Sequence, residues 1–302
     1  MSTFNGLTEL FNNSKEDIDD KNVKDKTGNP FDLQLFCEEL RKKSEEENKL
    51  YLEYSNTISG YSIASECIGT TIYKILNHPI ESFSHKWLPI IMRAELGKAV
   101  HETIQKNTNQ FTEQERSMKV PSIKVSVRLD GLIGNNVLIE IKSCTYDDYQ
   151  KILKTQQPRV NDFYQSMLYK YIIENYLDEC KIQKNTRTAP PSLDKYNIDT
   201  LQFIYVAHDL MSADFECMSE CLKTVKNVKK LLNSKYNKFF FMTCITLKTD
   251  EFDVIPYMNY IKEKIEAINY FVDNKKLPDL NNKFIDKTKC YFCLYDSICQ
   301  LK

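Results

Sequence analysis

Two acids and a lysine interrupt a stretch that otherwise alternates like a pair of β-strands. Residues 124–143 read KVSVRLDGLIGNNVLIEIKS, with Asp130 before a glycine and Glu140 two positions ahead of Lys142. Strand side chains alternate between the two faces, so the second acid and the lysine are predicted to share one face. A surface ion pair is the ordinary interpretation of an isolated E-x-K. Other polar residues around this stretch favour a catalytic one.

The turn between the two predicted strands would bring Asp130 close to Glu140. Two converging carboxylates repel each other unless a cation lies between them, and oxygen ligands of this kind favour Mg²⁺ or Mn²⁺. His101, in the helical segment GKAVH, offers a nitrogen ligand that would favour Mn²⁺. Gln165 and Tyr169 stand one helical turn apart after the strand pair and are predicted to share a helix face.

Four short motifs follow one another along the chain: G-x-x-x-H at 97–101, D-G at 130–131, E-x-K at 140–142 and Q-x-x-x-Y at 165–169. In this order they resemble the RecB-type branch of the PD-(D/E)xK nucleases, over residues 60–302. Leu129 stands where that family usually has a proline. The resemblance implies an α/β fold with a restriction-endonuclease-like core, in which a mixed central sheet is flanked by helices.

The same resemblance implies a role for each matched residue. His101, Asp130, Glu140 and the backbone carbonyl of Ile141 would hold a divalent metal that makes water a better nucleophile. Lys142 would orient or deprotonate that water and offset charge on the phosphate. The remaining matched pair, Gln165 and Tyr169, would position the DNA strand or the residues around the metal.

Cysteines suggest a second metal centre. Cys290, Cys293 and Cys299 are spaced C-x2-C-x5-C in the tail, and Cys67 lies ahead of the core. This pattern resembles the iron–sulfur subset of RecB-like nucleases, which includes the CRISPR-adaptation nuclease, the AddB nuclease domain and exonuclease V. The resemblance implies that these four cysteines bind a 4Fe–4S cluster. Four thiolates suit Zn²⁺ as well, so zinc stays open as the alternative.

That cluster would join the N- and C-terminal segments in a helical region formed by residues 60–75 and 285–302. The other six cysteines are predicted to be small buried hydrophobic residues. They are Cys37, Cys144, Cys180, Cys217, Cys221 and Cys244.

The rest of the chain predicts a mixed α/β domain. Residues 1–30 are polar and predict a flexible arm, and residues 31–302 predict a single domain. Helices are predicted at 31–54, 85–108, 160–177, 213–233 and 253–273, and strands at 121–130, 136–143, 201–209 and 238–247. In the second helix, Leu96, Val100 and Ile104 form an apolar stripe that is predicted to pack on the core.

Composition sets only broad limits. The net charge is −1, which neither requires nor excludes a nucleic-acid partner, since a basic groove can be offset elsewhere. No apolar run reaches the roughly 20 residues of a membrane span, and the N-terminus lacks the pattern of a secretory signal. We therefore expect a cytoplasmic protein, in a bacterial or phage-infected cell, whose ten cysteines are not a disulfide framework.

The leading hypothesis is a metal-dependent deoxyribonuclease that acts on DNA ends or single strands and leaves a 5′-phosphate. A role in DNA recombination, repair or replication would follow, with a separate helicase, a recombinase or a CRISPR adaptation protein as partner. The alternative is a catalytically silent iron–sulfur or zinc subunit that binds DNA or serves assembly. The complete set of two acids and a lysine argues against this alternative.

Overall fold

The computed structural model describes residues 57–76, 78, 87–182, 196–208, 242–279 and 281–286, and five single residues: Glu39, Lys42, Cys293, Tyr295 and Cys299. For residues 87–92 and 181–182 it describes the backbone alone. The chain divides into two units, 1–46 and 47–302, and all that follows concerns the second. The predicted arm at 1–30 and the predicted helix at 213–233 lie outside the described residues, as does that at 31–54 except for two helical positions.

Six helices and seven strands make up the described part of the second unit. The helices are α1 (Gly60–Ser65), α2 (Ile68–Ile75), α3 (Trp87–Asn107), α4 (Tyr146–Thr155), α5 (Val160–Tyr176) and α6 (Ile255–Asp273). The strands are β1 (Ile58–Ser59), β2 (Glu113–Val120), β3 (Val125–Ile133), β4 (Val137–Cys144), β5 (Lys181–Ile182), β6 (Thr200–Ala207) and β7 (Met242–Lys248). Among these helices, none is both long enough and apolar enough to span a bilayer.

The strands form one mixed sheet in the order β5-β2-β3-β4-β6-β7, with β1 added beside β3. The β4–β6 and β1–β3 pairs are parallel and the other pairs are antiparallel. A parallel pair needs a long crossover, and α4 and α5 lie within the one between β4 and β6. The predicted fold class, a mixed sheet flanked by helices, is confirmed at this level.

Helix α3 lies over one face of the sheet. Ile139, Ile141 and two β6 side chains form a small apolar cluster there, and Val100 and Ile104 of α3 pack against it. The third residue of the predicted stripe, Leu96, is 43% exposed, so that part of the prediction is wrong.

The opposite face carries the larger core. Side chains of β2, β3, β4 and β6 pack there with those of α2, α5 and α6, and most of the buried apolar residues belong to this cluster. The sheet therefore has an apolar layer of side chains on each face, and helices pack against both. Glu140 belongs to β4 and points toward this larger core, because it alternates with Ile139 and Ile141.

Four described elements were not predicted from the sequence: the strands β1, β2 and β5 and the helix α4. The sequence of β2, EQERSMKV, hides its apolar alternation, because Arg116 occupies a buried position that an apolar side chain usually takes. Glu113 lies against the guanidinium of Arg116 and neutralises its charge. Helix α4 begins at a Thr145 cap whose hydroxyl accepts from the Asp148 amide at 3.3 Å.

Candidate active site

Strands β3 and β4 separate at Asp130. Their ladder of pairs runs from Ile133↔Val137 to Gly131↔Ile139 and goes no further. Beyond this pair, the backbone amide of Ile141 donates to the side chain of Asp130 and not to a backbone carbonyl of β3. The acceptor is Asp130 Oδ2, at 2.7 Å. The acid therefore lies in the gap between two diverging strands, where backbone groups and side chains can both reach a ligand.

Glu140 lies on β4 opposite this gap and is completely buried. The ammonium of Lys142, two residues along the same strand, contacts its carboxylate. Neither oxygen of Glu140 accepts a well-aligned hydrogen bond from a described residue, although the two charged groups touch. Buried polar atoms are normally hydrogen-bonded, so these oxygens retain capacity for a further ligand.

Lys142 is held from a second side by helix α5. Its ammonium donates to Gln165 Oε1 at 3.1 Å, and Gln165 Nε2 donates to the Tyr169 hydroxyl at 2.5 Å. Because both α5 residues are buried, their positions are fixed by packing. The structure thus brings together the E-x-K and Q-x-x-x-Y motifs.

Burial and neighbouring charges shift the pKa values of Glu140, Asp130 and Lys142. Burial raises the pKa of Glu140 well above its usual range, and repulsion from Asp130 adds to this while Lys142 opposes it. Burial also raises the pKa of Asp130 against the influence of His101 and Lys142, and Glu115 raises it further. For Lys142, burial would lower the pKa, but the attraction of Glu140 and Asp130 outweighs it and the pKa rises. Positive charge at this place is strongly favoured.

Helix α3 brings His101 to the other side of Asp130. The imidazole Nδ1 lies 3.4 Å from Asp130 Oδ1, so the two oxygens of this carboxylate serve different partners. One turn further along α3, Gln105 Nε2 donates to the backbone carbonyl of Asp130 at 2.9 Å. The packing of Val100 and Ile104 on the sheet positions this helix face.

Glu115 is a candidate functional residue that sequence reasoning missed. One ligand atom from each of His101, Glu115 and Asp130 lies within 4.8 Å of the other two. Glu115 belongs to β2, whose strand character was not recognised. No sequence signal marked it, because the pairing of β2 with β3 that sets Glu115 against Asp130 is seen only in the structure.

These residues fit a divalent cation. Three ligand atoms within 4.8 Å of one another lie near the spacing of ligands that share one cation, since the ligands of Mg²⁺ and Ca²⁺ stand about 2.0–2.6 Å from the ion. A histidine nitrogen beside carboxylate oxygens suits Mn²⁺ as well as Mg²⁺. Glu140 lies outside this group of three and faces Lys142 instead. Its role as a ligand, with that of the Ile141 carbonyl, stays a prediction.

A third buried acid borders the site. Asp162, in the first turn of α5, accepts from Arg159 Nε at 2.6 Å and from the Tyr205 hydroxyl at 2.8 Å. Its negative charge adds to the forces that raise the pKa of Lys142. No sequence motif pointed to this residue, because an acid near a helix start is commonly a cap.

The first turn of α2 contacts one cysteine of the tail, Cys293. Cys67 is the N-cap residue of this helix, yet its side chain caps nothing, and cysteine is not among the residues favoured there. Thr70 follows Cys67 by three residues, and its Oγ1 lies 3.3 Å from the Sγ of Cys293 in the tail. Tyr295 stacks on Tyr73 of the same helix, with ring centroids 5.3 Å apart. Cys290 lies outside the described residues, so a four-cysteine centre stays a prediction.

The described cysteines outside this group differ in exposure. Cys144 is buried and Cys180 is half-buried against the larger core. Cys244 is exposed on β7, so the prediction of a buried residue is wrong there. It points away from the layer in which Ile245 is buried, and β7 is the last strand in the sheet order. Cys37, Cys217 and Cys221 lie outside the described residues.

Comparisons with known proteins add little. No family model matches the chain, and no curated protein matches its sequence significantly. A crystal structure of LHK-Exo in complex with dAMP is 13% identical, covers 74% of this chain and 91% of that chain, and has a TM-score of 0.43. A crystal structure of the alkaline exonuclease LHK-Exo from Laribacter hongkongensis is 13% identical, covers 73% and 89%, and has a TM-score of 0.41. The crystal structure of SSO0001 is 14% identical, covers 89% and 96%, and has a TM-score of 0.44. Similarity at this level is too low to assign a fold or a function to this chain.

Proposed function

We propose that the chain is a divalent-metal-dependent deoxyribonuclease that hydrolyses single-stranded DNA or DNA ends. One observation carries the proposal: Asp130, Glu140 and Lys142 converge where β3 and β4 separate, with His101 on the far side of Asp130. A buried acid pair beside a charged lysine costs stability, because burial penalises each charge. Binding a cation and a phosphate at the same place would offset that cost.

The cation, Mn²⁺ or Mg²⁺, would be held by His101, Asp130, Glu140 and the backbone carbonyl of Ile141. When bound, it supplies Lewis acidity, which lowers the pKa of water and offsets negative charge on a phosphodiester. The protein contributes a buried setting in which such electrostatic effects are stronger than in water. The unsatisfied oxygens of Glu140 support its place in this set.

Lys142 supplies the positive charge on the substrate side. Glu140 and Asp130 keep it protonated, and Gln165 holds its ammonium by a hydrogen bond. In this state it can donate to a phosphate oxygen or orient water, and it would have to lose a proton before it acted as a base. Tyr169 fixes Gln165 and therefore acts through it.

An iron–sulfur cluster on Cys67, Cys290, Cys293 and Cys299 forms the second part of the proposal. The contact between Thr70 and Cys293 supports it, because it brings the tail to the helix that Cys67 begins. The cluster would hold α2 and the tail together, so that binding of the metal would stabilise the folded state. Zinc remains the competing ligand for four thiolates. A brown protein purified without oxygen, with iron and sulfide by analysis, is the expected result, whereas a colourless zinc protein would contradict it.

The test of the activity uses end-labelled single-stranded and double-stranded DNA with Mg²⁺, with Mn²⁺ and with EDTA. We expect cleavage with one or both metals, none with EDTA, and loss of cleavage in Lys142→Gln. Lys151→Gln is the matched control, because Lys151 is an exposed lysine on α4 that pairs with Asp148. Wild-type protein that binds DNA without cutting it would support the catalytically silent subunit instead. A pathway and a partner, such as a helicase, a recombinase or a CRISPR adaptation protein, rest on the sequence resemblance alone.

A further inference from the structure

Glu115 has a backbone conformation that is rare outside glycine. Its φ is +52°, in the left-handed region, although it lies within β2. Such a conformation costs about 1–2 kcal/mol and persists when surrounding contacts impose it. The residues on either side are paired normally, Gln114 with Gly131 and Arg116 with Leu129, so the register is unchanged while Glu115 itself is turned.

Each oxygen of the Glu115 carboxylate has its own partner. Gln105 Nε2 donates to Oε1 at 2.7 Å, and the same amide donates to the Asp130 carbonyl at 2.9 Å. Gln105 is buried and uses both of its amide hydrogens in this way. It therefore clamps one oxygen of Glu115 beside Asp130. The other oxygen, Oε2, lies 2.9 Å from Arg128 Nε.

Arg128 is placed differently from Gln105. Its side chain is 66% exposed, and it stands two residues before Asp130 on β3. An ion pair with this exposure contributes about 0–1 kcal/mol, so changing its partner costs little. A guanidinium has donors in a fork that matches the oxygens of a phosphate.

If Glu115 joins His101 and Asp130 as a further ligand of the proposed cation, the reason for the Glu115–Arg128 pair is removed. The cation would neutralise the carboxylate that attracts Arg128, and the guanidinium would then be exposed beside the site where a DNA phosphate is brought. Resting on the proposed function, we infer that Glu115 is a cation ligand that exchanges Arg128 for the metal, and that the released Arg128 binds a phosphate of the substrate strand. Cation and DNA binding are coupled through this exchange.

Mn²⁺ binding tests the first half, with unbound Mn²⁺ measured by electron paramagnetic resonance in the absence of DNA. Arg128→Gln is expected to bind Mn²⁺ about two- to fivefold more tightly, because a competitor for Glu115 is gone. Glu115→Gln is expected to bind it at least tenfold more weakly, by the scale of losses at metal sites. In the Glu115→Gln background, Arg128→Gln should have no further effect. Weaker Mn²⁺ binding by Arg128→Gln would overturn the exchange.

DNA binding tests the second half. The probe is a fluorescein-labelled single-stranded oligonucleotide. Its anisotropy is read with and without Ca²⁺, which stands in for the proposed cation because it takes the same oxygen ligands. Arg128→Gln is expected to weaken binding about tenfold with Ca²⁺ and by twofold or less without it. Lys124→Gln is the matched control, since it removes one positive charge from the start of β3 where Lys124 pairs with the distant Asp273. Equal losses in the two variants, or a loss that does not depend on Ca²⁺, would overturn the role of Arg128.

Failure of the proposed function looks different from failure of this inference. If wild-type protein binds Mn²⁺ and DNA but does not cleave, the nuclease proposal fails while both binding arms still test the exchange. If wild-type protein cleaves and Arg128→Gln matches Lys124→Gln throughout, only the exchange is wrong. If wild-type protein binds no Mn²⁺ and does not cleave DNA with Mn²⁺ or with Mg²⁺, both are wrong.

Discussion

Glu115 and Asp130 face each other across β2 and β3, at a position that the ladder of pairs skips. Directly opposed residues of antiparallel strands lie about 4.5–5.5 Å apart at Cβ, and like charges there repel. Glu115 raises the pKa of Asp130 through that repulsion, after burial has raised it more. A strand pair that tolerates two facing acids is expected to gain stability when a cation or a proton arrives.

The first prediction concerns Asp130→Asn in the metal-free protein. A carboxyl whose pKa is raised on folding contributes stability that is present below its unfolded pKa, about 4, and is lost as pH rises through the folded pKa. Wild-type protein should therefore lose stability as the pH rises above about 4, a loss that Asp130→Asn does not share. We expect the variant to be more stable than wild type at pH 8. The asparagine carbonyl can still accept from Ile141.

Urea unfolding with EDTA, at pH 4 and at pH 8, measures this difference. Addition of Mn²⁺ should then raise the melting temperature of wild-type protein more than that of Asp130→Asn, because the cation binds the folded chain. A variant that is less stable than wild type at pH 8 would show that the charge of Asp130 is already compensated.

The second prediction concerns the charge of Lys142. Lys142→Gln keeps a polar side chain but removes the ammonium, so DNA cleavage should fall by about 10²–10³-fold, the usual cost of losing one electrostatic contact to a transition state. Binding of Mn²⁺ should survive, since Lys142 is not a ligand. Single-turnover cleavage and a Mn²⁺ titration separate the two effects. Loss of Mn²⁺ binding with little loss of rate would reverse the roles assigned to this residue.

The third prediction separates positioning from packing on α5. Tyr169→Phe removes the hydroxyl that holds Gln165, and we expect about a tenfold loss of kcat with a stability change of about 1 kcal/mol, the worth of one hydrogen bond. Tyr171→Phe is the control, because its hydroxyl meets only Tyr176 at 3.2 Å among the partners described. Equal kcat losses in the two variants would mean that Tyr169 only supports the helix.

The fourth prediction concerns the sulfur ligands. Cys67→Ser and Cys293→Ser should each lower the iron content and the melting temperature, because the cluster joins α2 to the tail. Cys244→Ser should change neither, since Cys244 lies exposed on β7. Iron analysis and thermal unfolding of proteins purified without oxygen provide the comparison. Full iron content in Cys67→Ser would remove this residue from the ligand set.

Most of the site lay within reach of sequence reasoning, because its residues follow local rules. Alternation put Glu140 and Lys142 on one face of β4, and helical spacing put Gln165 and Tyr169 on one face of α5. Glu115 followed no such rule. Its strand carries a buried charge at Arg116, which masks the apolar alternation, and its backbone leaves the extended region.

Contacts between distant segments were the least predictable part. Pairing of β2 with β3 sets Glu115 against Asp130, and only a register between strands can reveal this. Likewise, Leu96 follows the apolar period of α3 but is exposed, so periodicity alone overstated its burial. In both cases tertiary packing, rather than local pattern, decided the outcome.

The decisive measurement is cleavage of 5′-labelled single-stranded DNA by wild-type protein and by Asp130→Asn, with Mn²⁺, with Mg²⁺ and with EDTA. We predict metal-dependent cutting by wild-type protein and a loss of at least about 10³-fold in a variant that remains folded. Cleavage by Asp130→Asn at the wild-type rate, or cleavage that continues in EDTA, would contradict the proposed function.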